Sequence, residues 1–136
     1  MRTYVHIPIV PVKRRARFTR NGRAYVDAKT KAELQAVRNS YTGEMLEGPL
    51  ALFVGVYKPA PKGIRKVIPF TVKPDIDNVL KCVMDGLNGK AYKDDSQVVL
   101  VTIVKYDRQP GIQEGTVYEI HEIGGMDAPE HLPSGD

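Results

Sequence analysis

The sequence has little cysteine, no long apolar run and no visible export signal, and each absence excludes a class of protein. Its single cysteine, Cys82, rules out an internal disulfide and a cysteine-based zinc cluster. The longest apolar run, residues 50–56, is far shorter than the ~18 residues that a membrane span needs. The first ten residues lack the apolar core of a signal peptide. We therefore expect a cytoplasmic protein with no membrane segment.

The chain has 136 residues, a length that suits one compact domain. Its formal net charge is +4, but residues 124–136 hold three acids and neither Lys nor Arg, so residues 1–123 carry +7. We expect one basic domain over residues 1–123 and an acidic, disordered tail over residues 124–136.

The positive charge is concentrated in two stretches, residues 13–23 and 58–73, that contain no acid. Such blocks are typical of proteins that bind a polyanion, most often nucleic acid, although two solvated loops would look the same. The candidate DNA-binding residues are Lys13, Arg14, Arg15, Arg17, Arg20, Arg23, Lys62, Arg65, Lys66 and Lys73.

The first half of the chain is expected to form a strand, a basic arm and a helix. Residues 4–10 alternate loosely between apolar and polar side chains, which predicts a strand. Residues 11–25, called the basic arm below, contain Asn21-Gly22, a strong signal for a hairpin turn. The capping-box pattern Thr30-x-x-Glu33 and the apolar residues spaced after it predict a helix over residues 30–46.

The second half is expected to add a strand, a helix and two more strands. Residues 49–58 form an apolar run typical of a buried strand, and the proline-rich residues 59–69 form a loop. An apolar stripe predicts a helix over residues 77–87. Residues 97–106 and 115–123 are β-rich, and we interpret them as an antiparallel pair. The order β-α-β-α-β-β predicts an α/β or α+β fold with helices packed on a mixed sheet.

Four aspartates stand out in this basic chain. Asp75 and Asp77 lie at the start of the second helix, and Asp94 and Asp95 lie just before the following strand. If they converge, the cluster needs a cation, and carboxylate oxygens favour Mg²⁺ or Mn²⁺. Such a centre suits phosphodiester hydrolysis, with a positive charge from Lys81 beside the phosphate.

Each of these residues also has a purely structural interpretation. Asp77 could be the N-cap of its helix, and the other aspartates could belong to turns. Lys81 could be an i, i+4 partner of Asp77. On that interpretation the chain is a non-catalytic DNA-binding protein.

Residues 73–99 closely resemble the core of the RusA family of Holliday junction resolvases. The resemblance rests on the pattern D-x-D-N-x-x-K, which starts at Asp75, followed by D-D-x-Q-V-V, which starts at Asp94. Residues 17–25 are also similar to the basic region near the N-terminus of those proteins, so the resemblance extends over about residues 4–123.

The resemblance implies a function for the matching residues. It assigns metal binding and catalysis to Asp75, Asp77 and Asp95, an essential role to Lys81, and supporting or ligand positions to Asp94 and Asn78. It also implies a RusA-like fold and a Mg²⁺-dependent homodimer without a small-molecule cofactor, which cuts four-way DNA junctions by paired incisions in recombination and repair. A general flap or branched-DNA nuclease is the rival enzymatic hypothesis.

Overall fold

The computed structural model describes residues 4–135, which form a four-stranded mixed sheet, two α-helices and a separate small hairpin. This confirms the α+β class. The strands are β1 (Val5–Ile7), β2 (Arg17–Phe18), β3 (Ala24–Tyr25), β4 (Leu50–Tyr57), β5 (Val98–Lys105) and β6 (Gly115–Glu122). The helices are α1 (Ala28–Ser40) and α2 (Ile76–Leu87), and a single 3₁₀ turn (Asp95–Gln97) precedes β5.

β4 lies inside the sheet, whose strand order is β1-β6-β4-β5. Its alternate residues Leu50, Leu52, Val54 and Val56 are almost fully buried under the helices. An apolar strand of this kind is stable in the interior of a sheet, because a neighbouring strand on each side pairs with its backbone N–H and C=O groups. The predicted strand over residues 49–58 is therefore confirmed.

The predicted antiparallel pairing of the last two strands is wrong. β5 pairs with β4 in parallel, and β6 pairs with β4 on the opposite side in antiparallel orientation. The chain passes from β4 through α2 to β5, which is the helical crossover that parallel neighbours require. This connection determines where the predicted site residues lie.

α1 begins and ends earlier than the predicted helix over residues 30–46. Its N-cap is Asp27, whose carboxylate accepts a hydrogen bond of 2.7 Å from the backbone N–H of Thr30. The helix ends at Ser40, after which Tyr41 is extended and buried. Thr30 and Glu33 are buried within the helix and do not form its capping box.

α2 agrees with the predicted helix over residues 77–87, except that it begins at Ile76 and has Asp75, not Asp77, as its N-cap. Val79, Val83 and Leu87 of its apolar stripe are fully buried against β4 and α1. Gly86 lies within the helix. Gly89, three residues later, adopts a φ of 78° just beyond the end of the helix.

The predicted turn at Asn21-Gly22 is confirmed: β2 and β3 form a hairpin, and Gly22 adopts a φ of 80° between them. The tail over residues 124–135 contains neither helix nor strand, and its predicted disorder stays a prediction. Neither α1 nor α2 has the length and apolarity of a membrane span, and the same holds for the rest of the described chain.

Candidate nucleic-acid groove

An open groove of about 980 Å³ runs between the basic arm, the end of β4 and the first turns of α2. Two residues in it are Asp75, the N-cap of α2, and Asn78, in the first turn of that helix. Its other polar lining is cationic and consists of Lys13, Arg14, Arg15, Lys58, Lys73 and Lys81. So many cations around one concave surface create a positive potential that attracts a phosphate backbone.

The carboxylate of Asp75 is available in this groove. Asp75 occupies the N-cap position of α2, yet its side chain makes no capping hydrogen bond. The side chain is 58% exposed, and the ammonium of Lys73 lies 3.8 Å from its Oδ2 atom. An exposed aspartate whose oxygens are not used by its helix fits the oxygen-ligated sites that Mg²⁺ prefers.

Asp77 and Lys81 are both exposed on α2. Within residues 4–135 no ion pair joins these two side chains, so the structural interpretation of Lys81 as the partner of Asp77 is wrong. Lys81 instead lines the groove with Asp75. The ammonium of Lys81 is therefore in a position to bind a phosphate in the groove.

Asp94 and Asp95 lie in a separate place, at the 3₁₀ turn before β5. The hydroxyl of Ser96 donates to Asp94 Oδ2 at 2.7 Å, and this bond holds the pKa of Asp94 below its usual value. The side-chain carbonyl of Gln97 accepts from the backbone N–H of Asp94 at 3.1 Å. Asp94 therefore has a local structural role. Burial raises the pKa of the Tyr92 phenol, and the negative charge of Asp95 raises it further.

The two pairs of aspartates are far apart within one chain, which corrects the expectation that they converge. The side-chain amide of Gln97 donates to the carbonyl of Gly48, just before β4 begins, whereas Asp75 shares the groove with Lys58, just after β4 ends. The eight residues of β4 span ~26 Å. No three His, Cys, Asp or Glu side chains in the described part of the chain form a group that could hold a metal ion.

The predicted DNA-binding residues fall into three groups. Lys13, Arg14, Arg15 and Lys73 line the groove. Arg17, Arg20 and Arg23 are exposed on the β2–β3 hairpin or its turn, and Arg17 lies 3.6 Å from Asp27. Lys62, Arg65 and Lys66 are exposed on the loop over residues 59–69. The roles assigned to all these residues and to the aspartates stay predictions.

Sequence reasoning missed three residues of the groove and its support. Lys58 lines the groove from the end of β4. Glu33 and Asp85 hold the basic arm through Arg14 and Lys13. A signal for Glu33 existed, because it shares the inward stripe of α1 with Thr30 and Val37. An acid on a buried helix face indicates a partner brought from elsewhere in the fold.

The fold and groove define a class of protein, namely a small α+β protein with a cationic cleft of the kind that attracts a polyanion. The sequence model of the family called endodeoxyribonuclease RusA matches residues 7–113, which is most of the chain. The chain therefore belongs to the RusA family of endodeoxyribonucleases, which are nucleases.

The chain is also similar to the uncharacterized protein YqaN of Bacillus subtilis (strain 168). The two are 37% identical over an alignment of 81 residues that covers 51% of this chain and 57% of YqaN. The match thus spans little more than half of the length of that relative.

Proposed function

We propose that this protein is a Mg²⁺-dependent, structure-selective endonuclease that cuts four-way DNA junctions in the cytoplasm during recombination and repair. The observation that carries the proposal is the exposed carboxylate of Asp75 in a groove whose other charged residues are all basic. A groove that only bound DNA would gain nothing from an acid beside the phosphates, because like charges repel there. Membership of the RusA family supports the same conclusion.

The residues at the start of α2 suit a reaction at a phosphate. Asp75 and Asp77 would hold Mg²⁺, or Mn²⁺ in its place, because protein-bound Mg²⁺ commonly has only one or two carboxylates beside water and phosphate oxygens. The ion would activate a water molecule and offset negative charge on the scissile phosphate. The ammonium of Lys81 then stabilises the charge that develops at the phosphate, and the surrounding cations orient the backbone.

Paired incisions require two centres, and a C₂ homodimer supplies two with the symmetry of the junction. We place Asp95 of the partner subunit in each centre. The reason is geometric: Asp95 lies at the opposite end of β4 from Asp75 in its own chain, so only a second copy can bring the two together. Asp94 and Asn78 are assigned supporting positions, since Asp94 is bonded to Ser96 and the carbonyl of Asn78 accepts from the basic arm.

The variant Asp77→Asn tests the enzymatic assignment. We expect it to abolish Mg²⁺-dependent cleavage of a synthetic four-way junction, while junction binding is retained or strengthened because a negative charge near the phosphate is lost. Asp127→Asn, which removes an acid from the exposed tail, is the matched control and should cleave normally. Unchanged cleavage by Asp77→Asn would favour a non-catalytic DNA-binding protein. Equal rates on flaps, forks and junctions would favour a general branched-DNA nuclease.

A mixing experiment tests the sharing of Asp95. Asp75→Asn and Asp95→Asn should each be inactive alone. If each centre combines Asp75 and Asp77 of one subunit with Asp95 of the partner subunit, a mixed dimer has one intact centre and nicks one strand. If each centre instead takes Asp75, Asp77 and Asp95 from the same chain, every centre in the mixed dimer lacks one aspartate and the mixture stays inactive.

A further inference from the structure

The basic arm is tied to α1 by a buried carboxylate. Glu33 Oε1 accepts from the backbone N–H of Val12 at 3.2 Å and from Arg14 Nη1 at 2.7 Å, and its Oε2 accepts from Arg14 Nη2 at 3.3 Å. The Glu33 side chain is only 10% exposed and that of Arg14 28%. This two-pronged ion pair, with the added backbone contact, fixes both the path of the arm and the direction of one side chain.

Lys13, which lies between Val12 and Arg14, is tied to α2. The backbone N–H of Lys13 donates to the carbonyl of Asn78 at 3.0 Å, and its ammonium donates to Asp85 Oδ2 at 2.7 Å. Residues 12 and 14 of the arm are therefore bonded to α1, and residue 13 between them is bonded to α2. A cavity of about 150 Å³ lies between this part of the arm and residues of both helices, including Thr30 and Cys82. These polar contacts add to the packing of Val12 against the core in holding the arm in place.

We propose that Glu33 and Asp85 are positioning residues that hold the basic arm over the groove, and that Lys13 and Arg14 act mainly as anchors of the arm. On this proposal the phosphate contacts on the arm come from Arg15 and the hairpin arginines. The proposal revises the sequence-based expectation that all six cations of residues 13–23 contact DNA. Its DNA-binding part rests on the proposed function, but the anchoring part does not.

Anchoring and simple electrostatics predict opposite effects of removing Glu33. If Glu33 acts only through its negative charge, its loss makes the groove more positive and strengthens DNA binding. If Glu33 anchors the arm, its loss frees residues 12–14, and DNA must then restore their order at an entropic cost. The number of phosphates neutralised in the complex stays the same in the second case, so the salt dependence does not change.

The test compares Glu33→Met with Glu47→Met, which removes an exposed glutamate. Methionine keeps the approximate volume and the helix propensity of glutamate, so the change removes the carboxylate without opening a cavity. We measure the Kd for a four-way junction over a range of KCl concentrations without divalent metal. Glu33→Met should bind about tenfold more weakly with an unchanged salt slope, as expected from losing hydrogen bonds to a charged group. Glu47→Met should bind as the wild type does or slightly more tightly.

Amide hydrogen exchange of the free protein supplies a readout that needs no DNA. In Glu33→Met the amides of Val12 and Lys13 should exchange at least tenfold faster, while those of Leu52 and Val54 in β4 stay protected. The milder variant Asp85→Asn should accelerate exchange at Lys13 and weaken junction binding in the same direction. It covers the case in which Glu33→Met does not fold.

Three results would overturn the proposal. One is junction binding by Glu33→Met, or by Asp85→Asn if Glu33→Met does not fold, that is as tight as wild type or tighter. Another is a salt slope steeper by about one unit, which would mean that released Arg14 contacts a phosphate. The third is unchanged amide exchange in the arm. If the wild type itself fails to bind junctions, the proposed function fails, and amide exchange still decides the anchoring.

Discussion

The close contact between α1 and α2 makes Gly86→Ala a sharp test of the packing that supports the groove. A Cβ atom at Gly86 would lie 2.6 Å from Val37 Cβ, 2.7 Å from Val37 Cγ1 and 3.1 Å from the backbone oxygen of Leu34. The nearest atoms belong to the stem of a fully buried valine and to the α1 backbone, so rotation of a flexible side-chain end cannot relieve the contact. α1 would have to move by about 1 Å to restore normal carbon contacts.

Two effects of opposite sign set the size of the change. Alanine stabilises a helix interior by about 1 kcal/mol relative to glycine, whereas overpacking a core costs about 1 to 3 kcal/mol. Because the blocking atoms are rigid, we take about 2 kcal/mol for the overpacking and expect a net loss near 1 kcal/mol. At a urea m-value of ~1.5 kcal/mol/M, the unfolding midpoint falls by about 0.7 M.

Equilibrium urea unfolding, followed by circular dichroism, measures this shift. Gly124→Ala is the control, because no atom lies within 4 Å of its Cβ position and its φ is not positive. That variant should change the free energy of unfolding by less than about 0.5 kcal/mol. A midpoint for Gly86→Ala at or above the wild-type value would refute the rigid contact between the helices.

Three further predictions concern single side chains. Lys58→Gln should weaken junction binding and reduce the slope of log K against log salt by about 0.9, because the groove loses one phosphate contact; an unchanged slope would exclude Lys58 from the interface. Burial raises the pKa of the Cys82 thiol to about 12, so at pH 8 a thiol reagent should modify Cys82 far more slowly in the folded protein than in urea. The hydrogen bond from the Thr30 N–H lowers the pKa of Asp27. The ionised Asp27 carboxylate stabilises the folded protein fully above its unfolded-state pKa of about 4, and this stabilisation is lost as the pH falls through the lower pKa of the folded state. The urea midpoints of the wild type and Asp27→Asn should therefore converge at low pH.

The elements that could be predicted from the sequence are those whose local signals agree with their burial. In α2 the apolar positions Val79, Val83 and Leu87 face the core, so their spacing predicts the helix that forms. β4 is apolar throughout because it is an interior strand. Asn21-Gly22 predicts the hairpin because Gly22 adopts the positive φ that the turn requires.

α1 was mispredicted because two of its signals arise from tertiary contacts. Tyr41 continues the helical spacing of apolar residues, but it is buried after the helix has ended, and its hydroxyl donates to the carbonyl of Glu44. Thr30 and Glu33 match a capping box, whereas Glu33 is in fact bonded to Arg14 of the basic arm. A sequence pattern alone does not distinguish an acid that caps its own helix from one that holds a distant segment.

The position of the aspartates follows from the same topology that was mispredicted. When a helix connects two parallel strands, it runs back along the sheet, so its start lies at the end of the first strand and the second strand starts near its end. Asp75 and Asp77 therefore lie beyond the end of β4, and Asp95 lies beside its beginning. Short spacing along the chain brings the acids near α2 but at opposite ends of it, ~18 Å apart along its twelve residues. A motif divided in this way can serve one metal centre only if two chains contribute to it, and this is why the mixed-dimer experiment bears on catalysis and assembly together.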